Sequence, residues 1–416
     1  MFALHNPLNS KNENKQNYEI GGFDLSTIAS SRLGRFPTVD LFDRACLHFK
    51  ALIRYLVLMT QFTSISDSSR RLLIFVNPKS GAGLGARIFK QKVFPTLNQN
   101  AIRFELIKTE FPGHAANIVV NAIIERSDCT QILSNLPFAI VPCGSGNGLL
   151  SSVFAHQRLP IDNDVFVNTA IEALTSPNAI SLPVNLIQIQ TPDRTFGSFL
   201  SIDIESESLR TICGGNRFFW GAIRRILSLR SYRARLSYLE APSDLAPDET
   251  EPISVYGEKL IEKQPNHVDS TKTSDVWSSH VQTEIPNLDV PVQSKWKTLE
   301  DEFISVYAVS TSHISNINIY APDAQLNEQQ MHLTYILKRD IANRTAIAKF
   351  LTAFETHQHL ELPFCHYVKV RAFRLESLED ARQSPFVVDG ELIPFSGSVQ
   401  KLQAVVSNLC MRVLTE

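Results

Sequence analysis

The chain has 416 residues, more than one ordinary domain needs, and 44% of them are hydrophobic, enough for sizeable cores. A formal net charge of −2 excludes the broad basic field on which nucleic-acid binding rests, so no nucleic acid is expected as a partner. The six cysteines, Cys46, Cys129, Cys143, Cys213, Cys365 and Cys410, form no Cys-x-x-Cys pair; this argues against zinc and disulfide frameworks and fits a reducing, cytoplasmic setting.

Residues 1–68 start polar ("NSKNENKQN") and run towards "TSISDSSRR", which reads as an N-terminal extension with a linker. Within it, "FDRACLHFKALIRYLVLMTQF" carries Arg44, Lys50 and Arg54 among apolar residues, a pattern that predicts an amphipathic helix. It is expected to pack on the protein body, with contact to a membrane surface as the alternative. The apolar part is interrupted by Arg54 and falls short of the roughly 20 residues that span a bilayer, and no secretory signal is expected.

The organised part follows. "RLLIFV" reads as a strand, "LGARIFKQKVFPTLNQ" as a helix, "IRFELIK" as a strand, "GHAANIVVNAIIER" as a helix, "PFAIVP" as a strand and "NGLLSSVF" as the opening of another helix. Strands alternating with helices predict a parallel sheet covered on both faces, an α/β domain over residues 69–183. From about Asn185 the pattern changes to "NLIQIQ", "RTFGSFLSIDI", "YRARLSYL", "FISVYAVS", "MHLTYIL", "YVKVRAFRLE" and "FVVDGELIPF", which predict a mostly antiparallel β domain over 184–416. Inside it, residues 242–300 hold six of the 21 prolines and few apolar clusters, and read as a mobile insertion.

Two loops suit phosphate. "VNPKSGAGLGARIF" joins a strand to a helix through Asn77, Pro78, Lys79, Ser80, Gly81, Ala82 and Gly83; small residues let main-chain amides approach an anion, and the helix start adds donors. Gly144, Ser145, Gly146, Asn147 and Gly148 follow another strand, at the carboxyl edge where α/β sheets bind ligands. Either loop alone could be a plain tight connection; together they point to a nucleotide. GxxxxGK[ST] is absent, "GAGLGA" starts too far from its strand for a dinucleotide fingerprint, and Cys143 stands where GxSxG requires glycine.

"IFVNPKSGAG", "ELIKTEFPGHA", "VPCGSGNGLLSS", "IDIESESLR", "LRSYRARLSYL", "MHLTYILKRD", "VKVRAFRLE" and "VVDGELIP" together resemble the diacylglycerol kinase catalytic superfamily, most closely the sphingosine kinases. The resemblance implies a nucleotide-binding α/β domain followed by a β-rich lipid-binding domain, with ATP and Mg2+ as cofactors. The implied reaction is transfer of the γ-phosphoryl group to the primary hydroxyl of a sphingoid base. By matched position it assigns Asn77, Ser80, Gly81, Gly83, Thr109, Gly144, Ser145, Arg210, Arg217 and Glu391 to the nucleotide, and Asp203 to the lipid head group; from the residues themselves, Lys79 adds positive charge to the first loop, and His313 in "STSHIS" is a candidate to reach the lipid head group. No protein-held metal cluster is expected from the sequence. A cytoplasmic enzyme in peripheral contact with membranes follows from the lipid substrate, and a homodimer is compatible with it.

One part of the family pattern is absent. These kinases carry a Gly-Asp-Gly loop between the helix beginning "GHA" and the GSGN loop, and its aspartate is taken to accept the proton of the attacking hydroxyl. The sole Asp-Gly pair here, Asp389-Gly390, belongs to the "VVDGE" match. "GHAANIV" instead runs straight into "VNAIIERSD", as though a strand had been deleted near Val119 and Val120. No catalytic residue is therefore assigned, and the chain is expected to be impaired as a kinase. A catalytically dead lipid-binding relative, a diacylglycerol kinase and, more remotely, a nucleotide-dependent oxidoreductase remain as alternatives.

Overall fold

A computed structural model describes residues 56–59, 71–78, 83–110, 115, 137–144, 146–198, 201–204, 231–242, 253–254, 285–316, 318–379, 386–389, 391–393, 395 and 400–416. The strands are β1 (Leu56–Met59), β2 (Arg71–Val76), β3 (Arg103–Lys108), β4 (Pro137–Ile140), β5 (Ile180–Gln190), β6 (Thr195–Ser198), β7 (Ser201–Ile204) and β8 (Tyr232–Glu240). They continue with β9 (Ile253–Ser254), β10 (Lys297–Val309), β11 (Met331–Leu337), β12 (His366–Ser377), β13 (Phe386–Val388), β14 (Glu391–Leu392) and β15 (Lys401–Thr415). Hydrogen bonding joins them in one mixed sheet whose main path runs β14-β13-β7-β10-β11-β12-β15-β4-β1-β2-β3.

The N-terminal alternation of strand and helix is present. After β2 comes α1 (Leu84–Ile88), a π turn over Phe89–Val93, and α2 (Phe94–Gln99). Pro95 explains the wider turn: it has no N–H, and its ring would crowd the carbonyl four residues back in an uninterrupted α-helix. Leu72, Ile74, Ile88, Val93, Leu97 and Ile102 pack into the core beneath this helix. On another face, α3 (Gly148–His156) and α4 (Asn163–Glu172) bury Phe154 against Phe166, edge to face at 5.2 Å.

β1 corrects the reading of the N-terminal stretch. Leu56–Met59 is not part of a helix but a strand, paired antiparallel with β2 (Val57 opposite Ile74) and with β4 (Val57 opposite Ala139). A short run of large apolar residues with unpaired strands beside it gains more from ladder hydrogen bonds than from a lone helical turn. Because β2 and β4 both run against β1, they are parallel to one another. β2 and β3 are also parallel. The expected helix over "GHAANIVVNAIIER" lies mostly outside the described residues, as does the junction at Val119 and Val120; Ala115 is helical and buried.

The strands expected after Asn185 are all present as β5 to β8 and β10 to β14, mostly antiparallel. β8 pairs with both β10 and β12, folding the sheet back around a core that includes Phe303, Leu333, Phe373, Leu236 and Phe386. Two elements here were unread in the sequence. β15 pairs antiparallel with β5 and parallel with β4, carrying the C-terminal residues back to the N-terminal strands. α5 (Arg344–Glu355) starts at Asn343, whose side chain accepts from the Thr345 and Ala346 amides, and buries Ile347 against Ile304 and Ile336.

The segment read as a mobile insertion is partly ordered. Residues 285–296 pack Leu288 and Trp296 into the protein, and 297–300 already belong to β10. The buried Arg374 holds them: its guanidinium donates to the carbonyls of Val290 (2.7 Å) and Asn287 (3.0 Å) and to Gln403 Oε1 (2.6 and 2.9 Å). High proline content removed the periodic signal, while the anchor came from a strand some 80 residues away. Residues 243–252 and 255–284 lie outside the described residues.

Candidate nucleotide and lipid site

The geometry begins at the carboxyl ends of β2, β3 and β4. β2 and β4 are parallel and in step, with one strand between them, so their ends lie about 10 Å apart on one edge. Asn77 leaves β2 there, and Thr109 leaves β3 with its amide donating to Val76 O at 2.9 Å. Gly83, at the start of α1, has φ +88°, a left-handed conformation that strains any residue with a Cβ. The two glycine-containing loops and Thr109 therefore share one edge.

The second loop is locked internally. The Gly144 amide donates to Asn147 Oδ1 at 3.2 Å, and Asn147 Nδ2 donates back to Gly144 O at 3.0 Å. Asn147 takes φ +59°, which Asn tolerates better than most side chains. The sequence places this residue in the expected loop without assigning it a role, although the signal was visible: an asparagine between two glycines where a strand turns into a helix. Gly144's amide is thus directed into its own loop and is not free to face a ligand. Burial pushes the Cys143 thiol up to about 11, so it stays protonated and offers no thiolate nucleophile.

A loop from the β-rich part closes over this one. Asn316 N–H donates to Gly146 O at 3.0 Å, Asn147 and Ser315 form a bridge, and His313 N–H donates to Ser152 Oγ at 2.9 Å. A Cβ on Gly148 would stand 2.7 Å from His313 O, so the contact needs glycine. His313 is buried, with Nδ1 2.8 Å from Ser312 Oγ; burial, and next the charge of His357, holds its pKa below the ordinary imidazole value. It is neutral near pH 7 and able to accept or donate one hydrogen bond.

The acidic positions sit on β7 and β14, in the same sheet as β10, which leads into this loop. Asp203 in β7 is paired with Tyr307, two residues before β10 ends, and on its other side with Val387 of β13. Glu391 opens β14 opposite Val388. The Asp389 turn between β13 and β14 has φ +50° and accepts from Ser198 Oγ at 3.1 Å. Lys79, Ser80, Gly81, Ser145, Arg210 and Arg217 lie outside the described residues. Among the described residues no cluster of three or more His, Cys, Asp or Glu suits a metal ion, and no helix is long and apolar enough to cross a membrane.

Comparison with known proteins decides the family. The diacylglycerol kinase catalytic domain model matches residues 71–130. Sphingosine kinase 1 of Caenorhabditis elegans is 33% identical over 372 residues, covering 77% of this chain and 77% of its own. The chain belongs to the sphingosine kinase family. Human sphingosine kinase 1 is 29% identical over 360 residues, covering 78% of this chain and 86% of its own, and human sphingosine kinase 2 is 24% identical over 458 residues. Among solved structures, a putative diacylglycerol kinase from Bacillus anthracis str. Sterne aligns with TM-score 0.50 over 83% of this chain and 96% of its own, at 13% identity, which is a likeness of fold. Sphingosine kinase family membership makes this chain a lipid kinase homologue, and such an enzyme uses ATP.

Proposed function

We propose that the chain binds ATP on the shared edge of β2, β3 and β4, binds a sphingoid base in the β-rich part, and is impaired in phosphoryl transfer between them. The observation that carries the reading is the contact between the two halves: the Gly144–Gly148 loop is hydrogen-bonded to the His313 loop, so nucleotide phosphates and lipid head group would meet at one seam. Main-chain amides of Asn77–Gly83 and of the α3 start would hold the phosphates, and Lys79, Arg210 and Arg217 would neutralise charge. Asp203 would pair with the amine that distinguishes a sphingoid base from diacylglycerol, and His313 would orient the head group. Mg2+, when bound to the phosphates, supplies further charge neutralisation.

Impairment rests on the missing Gly-Asp-Gly loop. Without a positioned general base, phosphoryl transfer loses about 10²- to 10⁴-fold in rate. β1 strengthens this reading, since it stands in the sheet between β2 and β4, where a parallel α/β sheet would hold a strand ending in a third edge loop. A strand that runs the other way brings no such loop to that edge. The reading therefore includes a lipid-binding relative without useful turnover, cytoplasmic and in peripheral contact with the membranes that hold its lipid.

The test is purified protein with Mg-ATP and either sphingosine or diacylglycerol, alongside the C. elegans relative. The expected result is saturable binding of ATP and of sphingosine, with phosphorylated lipid formed at least about 100-fold more slowly than by the relative. Turnover equal to the relative's would overturn the impairment, and a preference for diacylglycerol would overturn the role of Asp203. Failure to bind ATP would end the nucleotide reading.

A further inference from the structure

Ser152 occupies an unusual place between the two halves. It is buried in α3, one turn beyond Gly148, and its hydroxyl donates to Gly148 O at 2.9 Å. The same oxygen accepts the His313 amide at 2.9 Å, from a residue 161 positions away. Its neighbour Ser151 is equally buried, but its hydroxyl donates only within the helix, to Asn147 O at 2.9 Å. A single oxygen atom thus touches both the start of the nucleotide-side helix and the backbone of the loop that carries His313.

We propose that Ser152 is a positioning residue that couples the two sites, so that occupancy of the nucleotide loop sets the place of the His313 loop and the reverse. The inference rests on the proposed nucleotide and lipid reading. Coupling needs an element that both ligands bias. Here that element is the seam formed by Asn316 N–H to Gly146 O, the Asn147–Ser315 bridge and His313 N–H to Ser152 Oγ. Ser152 is buried, so removing its hydroxyl leaves the His313 amide without that acceptor and away from bulk solvent. Ser152 touches neither ligand in this scheme and acts through Gly148 and His313.

The experiment measures the affinity of a fluorescent non-hydrolysable ATP analogue with and without sphingosine in detergent micelles. The ratio of the two dissociation constants is the coupling factor, expected at about 5-fold or more in the unmodified chain. In Ser152→Ala it should fall below about 2-fold, while Ser152→Thr, which keeps a hydroxyl, and Ser151→Ala, which loses one that never leaves the helix, should retain it. Loss in Ser151→Ala equal to that in Ser152→Ala would reduce Ser152 to ordinary helix packing and overturn the inference. Equal coupling in Ser152→Ala and the unmodified chain would also overturn it, with the binding reading intact. Failure of the unmodified chain to bind the analogue at all would overturn the binding reading, and the inference with it. A second measurement needs no variant: hydrogen exchange across residues 310–316 should slow when the analogue alone is added, and unchanged exchange there overturns the coupling.

Discussion

Replacing Gly148 by alanine sets two effects of known size against each other. Gly148 opens α3 without a left-handed φ, so a helical backbone there accepts alanine, and the change in propensity favours the variant by about 0.5 to 1 kcal/mol. Against this, the new Cβ would lie 2.7 Å from His313 O and from Ile314 C, and 2.8 Å from Ile314 O, all of them backbone atoms. Restoring the 3.4 Å of ordinary contact moves that backbone by about 0.7 Å. Such a shift stretches the His313 N–H to Ser152 bond from 2.9 Å and the Asn316 N–H to Gly146 bond from 3.0 Å to beyond about 3.5 Å, where they no longer count. Overpacking of this kind costs about 1 to 3 kcal/mol, and each weakened bond adds about 0.5 to 1.5 kcal/mol, so the clash outweighs the propensity gain. We expect Gly148→Ala to be destabilised by about 1 to 5 kcal/mol in guanidinium unfolding and to bind the ATP analogue more weakly. A variant as stable as the unmodified chain would show that the two loops do not meet as described.

Other consequences follow from the packing. Leu58 faces a strand on each side, Leu73 on one and Phe138 on the other, so Leu58→Pro must lose a ladder hydrogen bond whichever way its N–H points. The expected cost is about 1 to 3 kcal/mol with weakened nucleotide binding, measured by thermal shift with and without the ATP analogue; no change in either would remove β1 from the sheet. Arg374→Met should cost roughly 3 kcal/mol or more, because the carbonyls of Asn287 and Val290 and the Gln403 side chain lose a charged donor together. Limited proteolysis would check it, with faster cleavage between residues 285 and 296 than in the unmodified protein. His359 is buried among Tyr320, Phe350 and Phe354, and burial lowers its pKa to about 4. Since the folded pKa lies below the unfolded value near 6.5, the unfolded chain binds the proton first, and stability present above pH 6.5 is lost as pH falls towards 4. His359→Phe should flatten that part of the pH profile of the unfolding midpoint; an unchanged slope would assign it to other groups.

Much of the candidate site was legible because its signals are local. A β-branched run, a stretch of small residues and the start of a helix can be recognised from a dozen neighbouring residues, and both small-residue loops are of that kind. The family match came from the same segments read in order. The turn-holding role of Asn147 follows from the same logic, since it is the non-glycine residue best able to hold a left-handed turn. α5 was overlooked although Asn343 caps it and Ile347, Phe350 and Phe354 share one face, because the strands around it set the expectation of an all-β region.

The amino-acid sequence by itself determined the alternation of strands and helices before residue 183, the antiparallel strands after it, and the small-residue loops that suit phosphate, since each depends on conformational preferences within a few residues. Only the tertiary structure decided which strands became neighbours. Leu56–Met59 joined the sheet because β2 and β4 offered edges on both sides, β15 returned to β4, Arg374 captured residues 285–292, and the His313 loop closed on Gly148. Each of these joins residues far apart in the chain, and their choice turns on which hydrogen-bonding groups and apolar surfaces remain uncovered once the rest has folded.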